Sequence, residues 1–169
     1  MITLRRATAA DADWLVGLYG GDDVDPFLGP RSARDREAIL TEIERSEREP
    51  RAFGRFVIEL DGDRAGALGF HVESEANAIV RLEGLAVHPS FRGRRIADEA
   101  ARLAQRLLLV ELGYHRIELA CYAFNERAIT HAERSGFVRE GVKRKAYRRH
   151  GEWQDAVLFA LLREDLDAS

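Results

Sequence analysis

Apolar and polar positions alternate with a period of two through Phe56, Ile58 and Leu60, and again through Leu68, Phe70 and Val72. Asp61-Gly62 separates the two runs, and this pattern predicts a β-hairpin. A third strand is expected from Ile79 to His88, with Val80, Leu82, Gly84 and Ala86 on one face. Arg81, Glu83, Leu85 and Val87 then fall on the other face, and Pro89 ends the strand by removing a donor. The spacing of Ile96, Ala100, Leu103, Ala104 and Leu107 changes to that of an amphipathic helix, with Gly113 as its stop.

Weaker signals extend the order in both directions. Ile2–Arg6 reads as a short strand, and Thr8 with Asp11 forms a capping-box start for a helix through about Tyr19. The Gly, Pro and Asp content of residues 20–30 predicts a loop, after which Ser32 is expected to cap a helix ending before Pro50. Downstream, a strand over His115–Ala123 precedes a short helix capped by Asn125 and stopped by Gly136. Strands around Phe137 and Val157 complete an α+β order with no internal repeat.

Composition narrows the class. A length of 169 residues fits one domain spanning 1–169, and 46% hydrophobic with 33% charged residues fits a globular one. No apolar run approaches the roughly 20 residues of a membrane span, so no membrane partner is expected. With no secretory leader pattern and a single cysteine, Cys121, a reducing cytoplasm is the expected location. No Cys or His pair has metal-ligand spacing, so no metal is expected. The net charge of −3 argues against nucleic acid as the main partner.

The candidate chemistry lies at the strand-to-helix junction Val87-His-Pro-Ser-Phe-Arg-Gly-Arg-Arg-Ile-Ala97. The first N–H groups of a helix lack intrahelical acceptors and sit at the positive end of its dipole, where they bind phosphate oxygens. Arg92, Arg94 and Arg95 place guanidinium groups at the same point.

Arg92-Gly-Arg-Arg-Ile-Ala97 follows the pattern of Arg or Gln, two free positions, Gly, one free position, then Gly or Ala, and resembles the GNAT superfamily of acyl-CoA-dependent N-acyltransferases. Asn125-Glu-Arg-Ala-Ile129, followed by Glu133, Gly136 and Phe137, is similar to a second block of that family. Arg148–Asp155 and Leu161–Asp165 resemble the branch containing ribosomal-protein N-terminal and polyamine acetyltransferases. Two residues depart from the pattern. Arg95 stands where the family usually has glycine, and Ala132 where many members carry a tyrosine that protonates the leaving thiolate. An arginine at position 95 is expected to require backbone angles near right-handed helical values.

The resemblance implies a mixed α/β (α+β) fold with a mostly antiparallel central sheet, helices on both faces, and a splayed strand pair near Val87 and Ala123 that holds acyl-CoA. It implies acetyl-CoA as cosubstrate and direct attack of a primary amine on the thioester. The acceptor would be a peptide N-terminus, a polyamine or a small metabolite. Cofactor contacts are then expected from Leu85, Ala86 and Val87, from Arg92, Gly93, Arg94, Arg95, Ile96 and Ala97, and from Asn125. A free ammonium has a pKa of about 10, so a base is needed near neutrality. Glu83, expected on the same side as Leu85 and Val87, is the candidate; its structural alternative is a salt bridge to Arg81 or a cross-strand partner. With a thiol pKa near about 8.5, the thiolate is a tolerable leaving group without an acid.

Other features have plainer readings. Asn125 serves as an N-cap whether or not it also meets cofactor, and Cys121 alternates with core positions rather than acting as a nucleophile. His131 reads as a satisfied surface histidine. The run Lys143–His150 resembles a nucleic-acid patch in isolation, but strand alternation would divide its charges between two faces. Asp22, Asp23 and Asp25 lie where the family binds acceptors, and an ordinary acidic loop explains them equally well. A degenerate acyl-CoA sensor is the alternative to an enzyme. A P-loop nucleotidase is excluded, because no Lys and Ser or Thr follow Gly93. A homodimer through the C-terminal strands is compatible with the pattern.

Overall fold

The computed structural model describes residues 1–29 and 32–167. Its strands are β1 (Ile2–Arg6), β2 (Phe53–Leu60), β3 (Asp63–Ser74), β4 (Ile79–Val87), β5 (Arg116–Tyr122), β6 (Val138–Arg149) and β7 (Glu152–Leu162). The helices are α1 (Ala12–Tyr19), α2 (Arg36–Arg48), α3 (Ile96–Gln105), α4 (Glu126–Arg134) and α5 (Arg163–Asp167). All seven strands form one sheet in the order β1-β2-β3-β4-β5-β7-β6. Every neighbouring pair is antiparallel except β4 and β5, which run parallel.

Alternation along the strands feeds two separate cores. Ile58, Leu68, Val80 and Leu82 pack with Ile96, Ala100, Ala104 and Leu108 of the α3 region. Val57, Ala67 and Ala86 pack with Leu15, Leu18, Ile39 and Ile43 of α1 and α2 on the opposite face. Helices therefore cover both faces, as the resemblance implied, because adjacent strand residues bury apolar area in opposite directions.

Local signals identify most ends correctly, with instructive exceptions. Thr8 and Asp11 form the expected capping box, although a short 3-10 turn over Ala9–Asp11 precedes α1. Ser32 does not cap α2. Asp35 does, accepting from the Ala38 amide at 2.8 Å, since its carboxylate lies directly before the first helical residue. Beyond Gln105, the chain widens into a π segment over Arg106–Glu111, closed by the Leu112 amide on the Leu107 carbonyl at 2.8 Å. The wider turn rotates the helix face, so Leu108 and Leu109 are fully buried while Leu107 is only partly so. Gly113 follows with φ of +77° and ends the segment as expected.

Candidate active site

β4 and β5 pair only at their starts, through Ile79 with Arg116, Val80 with Ile117 and Arg81 with Glu118. From Leu82 to Val87 and from Leu119 to Tyr122 the two strands have no ladder between them. The splay leaves one edge of β4 without strand partners, and buried backbone groups there need an acceptor or donor from elsewhere.

A β-bulge shapes this edge. Ala67 pairs with Ala86 and Gly69 with Glu83, so three steps along β4 oppose two along β3. The extra residue is accommodated at Gly84, whose φ is +64°, and Tyr19 donates its hydroxyl to the Gly84 carbonyl at 3.2 Å. One inserted residue flips the alternation. Val80 and Leu82 face the α3 core before the bulge; Leu85 and Val87 face it afterwards, while Ala86 joins the α1–α2 core. Glu83 consequently projects to the face opposite Leu85 and Val87, which corrects the single-face expectation for these residues.

On that face Glu83 borders a cleft of about 630 Å³ that also takes in Tyr19, Arg55, His71, Glu73 and Arg81. Its carboxylate lies 3.3 Å from His71 Nδ1, and His71 Nε2 lies 3.4 Å from Glu73. Arg81 pairs instead with Glu73 at 3.2 Å and Glu118 at 3.5 Å, so the cross-strand partner of Glu83 is the histidine. Arg55, only 4% exposed, binds Glu42 and reaches the Tyr19 hydroxyl at 3.1 Å. Burial pushes the Glu83 carboxyl up, but the His71 hydrogen bond and charge, with Arg55 and Arg81, outweigh it and hold it below the usual range. The Glu83 hydrogen bond in turn raises His71 above its ordinary value against the opposing effect of burial.

At the C-terminal end of β4, Pro89–Phe91 form a 3-10 turn leading into Arg92, Gly93, Arg94 and Arg95. Gly93 has φ of +79°, and Arg95, at the N-cap of α3, has φ of +56° and ψ of 22°. Arg95 thus takes the left-handed conformation of the usual glycine, against the expectation of right-handed angles. Its side chain is exposed, and the helix begins behind it with buried Ile96. Among the described residues, the amides of Gly93, Arg94, Ile96 and Ala97 have no hydrogen-bond acceptor. Arg94 lies over the Phe91 ring at 5.5 Å, and Arg92 meets Asp23 at 3.2 Å.

Asn125 follows β5 on the other side of the splay. Its Oδ1 accepts from the Ala128 amide at 3.2 Å, a cap worth about 1 kcal/mol. Ala132 is buried at 3% exposure and offers no acid. Cys121 is a core residue whose thiol is pushed up to about 11 by burial, far from a thiolate. His131 links α4 to α3 through Asp98 at 3.3 Å rather than entering the cleft. Among the described residues, no group of three or more His, Cys, Asp or Glu is arranged to hold a metal ion.

Asp23 and Asp25 of the acidic loop are paired from within the chain. Asp25 is paired with Arg34 at 2.6 Å and Arg149 at 3.3 Å. The basic run of β6 also departs from simple alternation, since its register slips between Lys143 and Tyr147, with Lys145 at φ of +49°. Lys143 and Arg148 both line the cleft, although alternation along β6 places them on opposite faces of the strand.

Sequence reading found Glu83 but missed His71, Arg55 and Tyr19. Counting register through the β2-β3-β4 meander would have brought His71 beside Glu83, one step diagonal from its Arg81 partner.

A mostly antiparallel sheet split between two parallel strands, with a helix N-terminus at the mouth of the split, is the architecture of an acyl-CoA-dependent transferase. Residues 1–138 match the acetyltransferase (GNAT) domain model, and the chain belongs to that family. It is an acetyl-CoA-dependent N-acetyltransferase. A prophage-derived N-acetyltransferase of Bacillus subtilis, YokL, is 28% identical over 86% of this chain and 79% of its own length. Spermidine N(1)-acetyltransferase of Escherichia coli K12 is 26% identical over 63% of this chain and 57% of that enzyme. The spermidine N-acetyltransferase of Vibrio cholerae, solved with CoA and spermine, superposes with a TM-score of 0.83. At 21% identity over 97% of this chain and 96% of that one, it supports the shared fold.

Proposed function

We propose that Glu83 is the general base for transfer of acetyl from acetyl-CoA to a primary amine that enters through the cleft. The observation that carries this reading is the Gly84 bulge, which turns Glu83 into the cleft where β4 parts from β5. An incoming ammonium loses a proton toward Glu83, directly or through one water, and the neutral amine attacks. Its N–C bond forms as the thioester C–S bond breaks. One ammonium proton leaves with the sulfur and another is released to solvent.

Acetyl-CoA supplies the activated acetyl group. The residues present fit it: the free edge of β4 at Leu85, Ala86 and Val87 offers backbone groups to the pantetheine amides and to developing negative charge on the carbonyl oxygen. The unpaired amides of the Gly93–Ala97 turn, with Arg92, Arg94 and Arg95, suit the pyrophosphate. Among the described residues only the Oδ1 of Asn125 is engaged, by the cap, which leaves its side-chain N–H₂ for the arm. Homodimer contact, in the same reading, falls on outer strand β6, where Val138 and Val142 are exposed.

Thiol release from acetyl-CoA across primary amines, spermidine and N-terminal peptides tests the reading. We expect turnover with at least one class. Tight acetyl-CoA binding with no thiol release from any acceptor would instead establish a sensor.

A further inference from the structure

We propose that the acceptor carries an anionic group, a carboxylate or a phosphate, beside its amine, and that Lys143 and Arg148 receive that group. The inference rests on the acetyl-transfer reading of the same cleft and narrows its substrate class.

The carboxylates of the cleft are already committed. Glu42 is held by Arg55, Glu73 by Arg81 and His71, and Glu83 by His71. Asp25 of the neighbouring loop is held by Arg34 and Arg149, and Asp23 by Arg92. A polycation seeks several unsatisfied carboxylates, and this cleft instead answers each of its own with an internal basic side chain. The surplus is of the opposite sign. Among the described residues, Lys143 and Arg148 line the cleft without a carboxylate partner. Arg148 is braced over the Trp153 ring of β7 at 5.9 Å. Arg55 adds a buried Nε–H with no acceptor.

These charges and Glu83 line one open cleft of small-ligand size, about 630 Å³. An amine with an anionic tail satisfies both sides: the ammonium approaches Glu83 while the tail meets the basic rim. Direct guanidinium or ammonium contact with such a tail is charge-assisted and discriminates it from a neutral isostere.

Matched acceptors test the proposal in the thiol-release assay. Aminocarboxylates are compared with their own amides, aminoalkyl phosphates with the corresponding amino alcohols, and spermidine with all of them. The carboxylate and phosphate arms distinguish the two sources of negative charge. We expect kcat/KM for an anionic member to exceed that of its neutral twin by about tenfold, the scale of one charge-assisted hydrogen bond. The double variant Lys143→Gln, Arg148→Gln should bring that ratio close to one, mainly through KM, and Lys143→Glu should shift preference toward spermidine. A best acceptor that is neutral or polycationic, or an anionic preference that survives the double variant, overturns the proposal while leaving acetyl transfer intact. Silence from every acceptor overturns the transferase reading and this inference together. Both side chains are exposed, and thermal melts of each variant establish that an altered ratio reflects binding rather than unfolding.

Discussion

His71 Nδ1 sits 3.3 Å from the Glu83 carboxylate, so the candidate base is held by a cross-strand imidazole rather than left free in the cleft. The contact keeps Glu83 ionised across neutral pH and ready to accept a proton, at some cost in intrinsic basicity. Glu83→Gln should lower kcat by about a hundredfold or more, with acetyl-CoA affinity retained, as steady-state kinetics and calorimetry will show. Near-normal turnover from pH 6 to 8 would remove Glu83 from the proton path.

His71→Asn tests the other half of the pair. Without the imidazole, burial is opposed less strongly and the Glu83 pKa rises, so the acidic limb of kcat/KM moves to higher pH. Stability should respond with a defined sign. The raised His71 contributes below its unfolded value of about 6.5 and loses that contribution as pH climbs through its folded value. The lowered Glu83 contributes above about 4.5 and loses it as pH falls through its folded value. Chemical melts of wild type and His71→Asn should therefore differ most between those two values, and a constant difference across pH would discount the pair.

Gly84 converts local backbone freedom into site geometry. A Cβ there would lie 3.2 Å from Arg55 Nη1 and 3.4 Å from the Tyr19 hydroxyl, on a residue with φ of +64°. Gly84→Ala should cost about 1–2 kcal/mol from the left-handed conformation alone. Its catalytic loss should exceed that seen for Gly93→Ala, where a Cβ meets nothing within 4 Å. Equal losses in kcat at the two positions would mean that the bulge does not aim Glu83.

Periodicity made the hairpin, the long β4 and the amphipathic α3 legible because each buries a continuous apolar stripe. The Thr8–Asp11 box and the Asn125 cap were legible because capping is decided within four residues. The bulges were not. Both Gly84 and the Lys143–Tyr147 slip depend on how many residues the partner strand offers, a tertiary quantity absent from a single strand's pattern. That is why Glu83 was found as a residue but assigned to the wrong face. His71 and Arg55 escaped notice for a related reason, since their chemistry exists only once three strands are in register.

Arg95 stands in a conformation that costs a non-glycine residue about 1–2 kcal/mol, with no ion pair or hydrogen bond from its side chain among the described residues. Such strain at a proposed pyrophosphate site is consistent with a gain on cofactor binding. Arg95→Gly should raise stability by up to about 1 kcal/mol, the relief being partly offset by glycine's extra freedom in the unfolded chain. It should also weaken acetyl-CoA binding by several-fold, more strongly at low salt, because a guanidinium is lost. Calorimetric titration at two ionic strengths, beside thermal melts, checks both halves. Unchanged affinity would show that the left-handed turn serves the backbone cradle alone.

Asp11 gathers Arg5 at 2.7 and 2.9 Å, Arg64 at 3.4 Å and the Thr8 amide at 2.8 Å, joining the start of α1 to β1 and β3. The Arg5 hydrogen bond, opposed by burial and aided by Thr8, lowers its carboxyl to about 2 from an ordinary 3.8. A lowered carboxyl contributes stability above its unfolded value and loses it as pH falls through the folded one, so the contribution is complete above about 3.8 and gone below about 2. At one pK unit per 1.36 kcal/mol, this carboxylate, only 2% exposed, contributes roughly 2 kcal/mol at neutrality. Asp11→Asn should cost about that much at pH 7, and urea melts should show the gap closing as pH drops through that interval. Since Asp11 lies outside the cleft, the folded variant should retain its KM for acetyl-CoA, and a large change there would tie this anchor to the site.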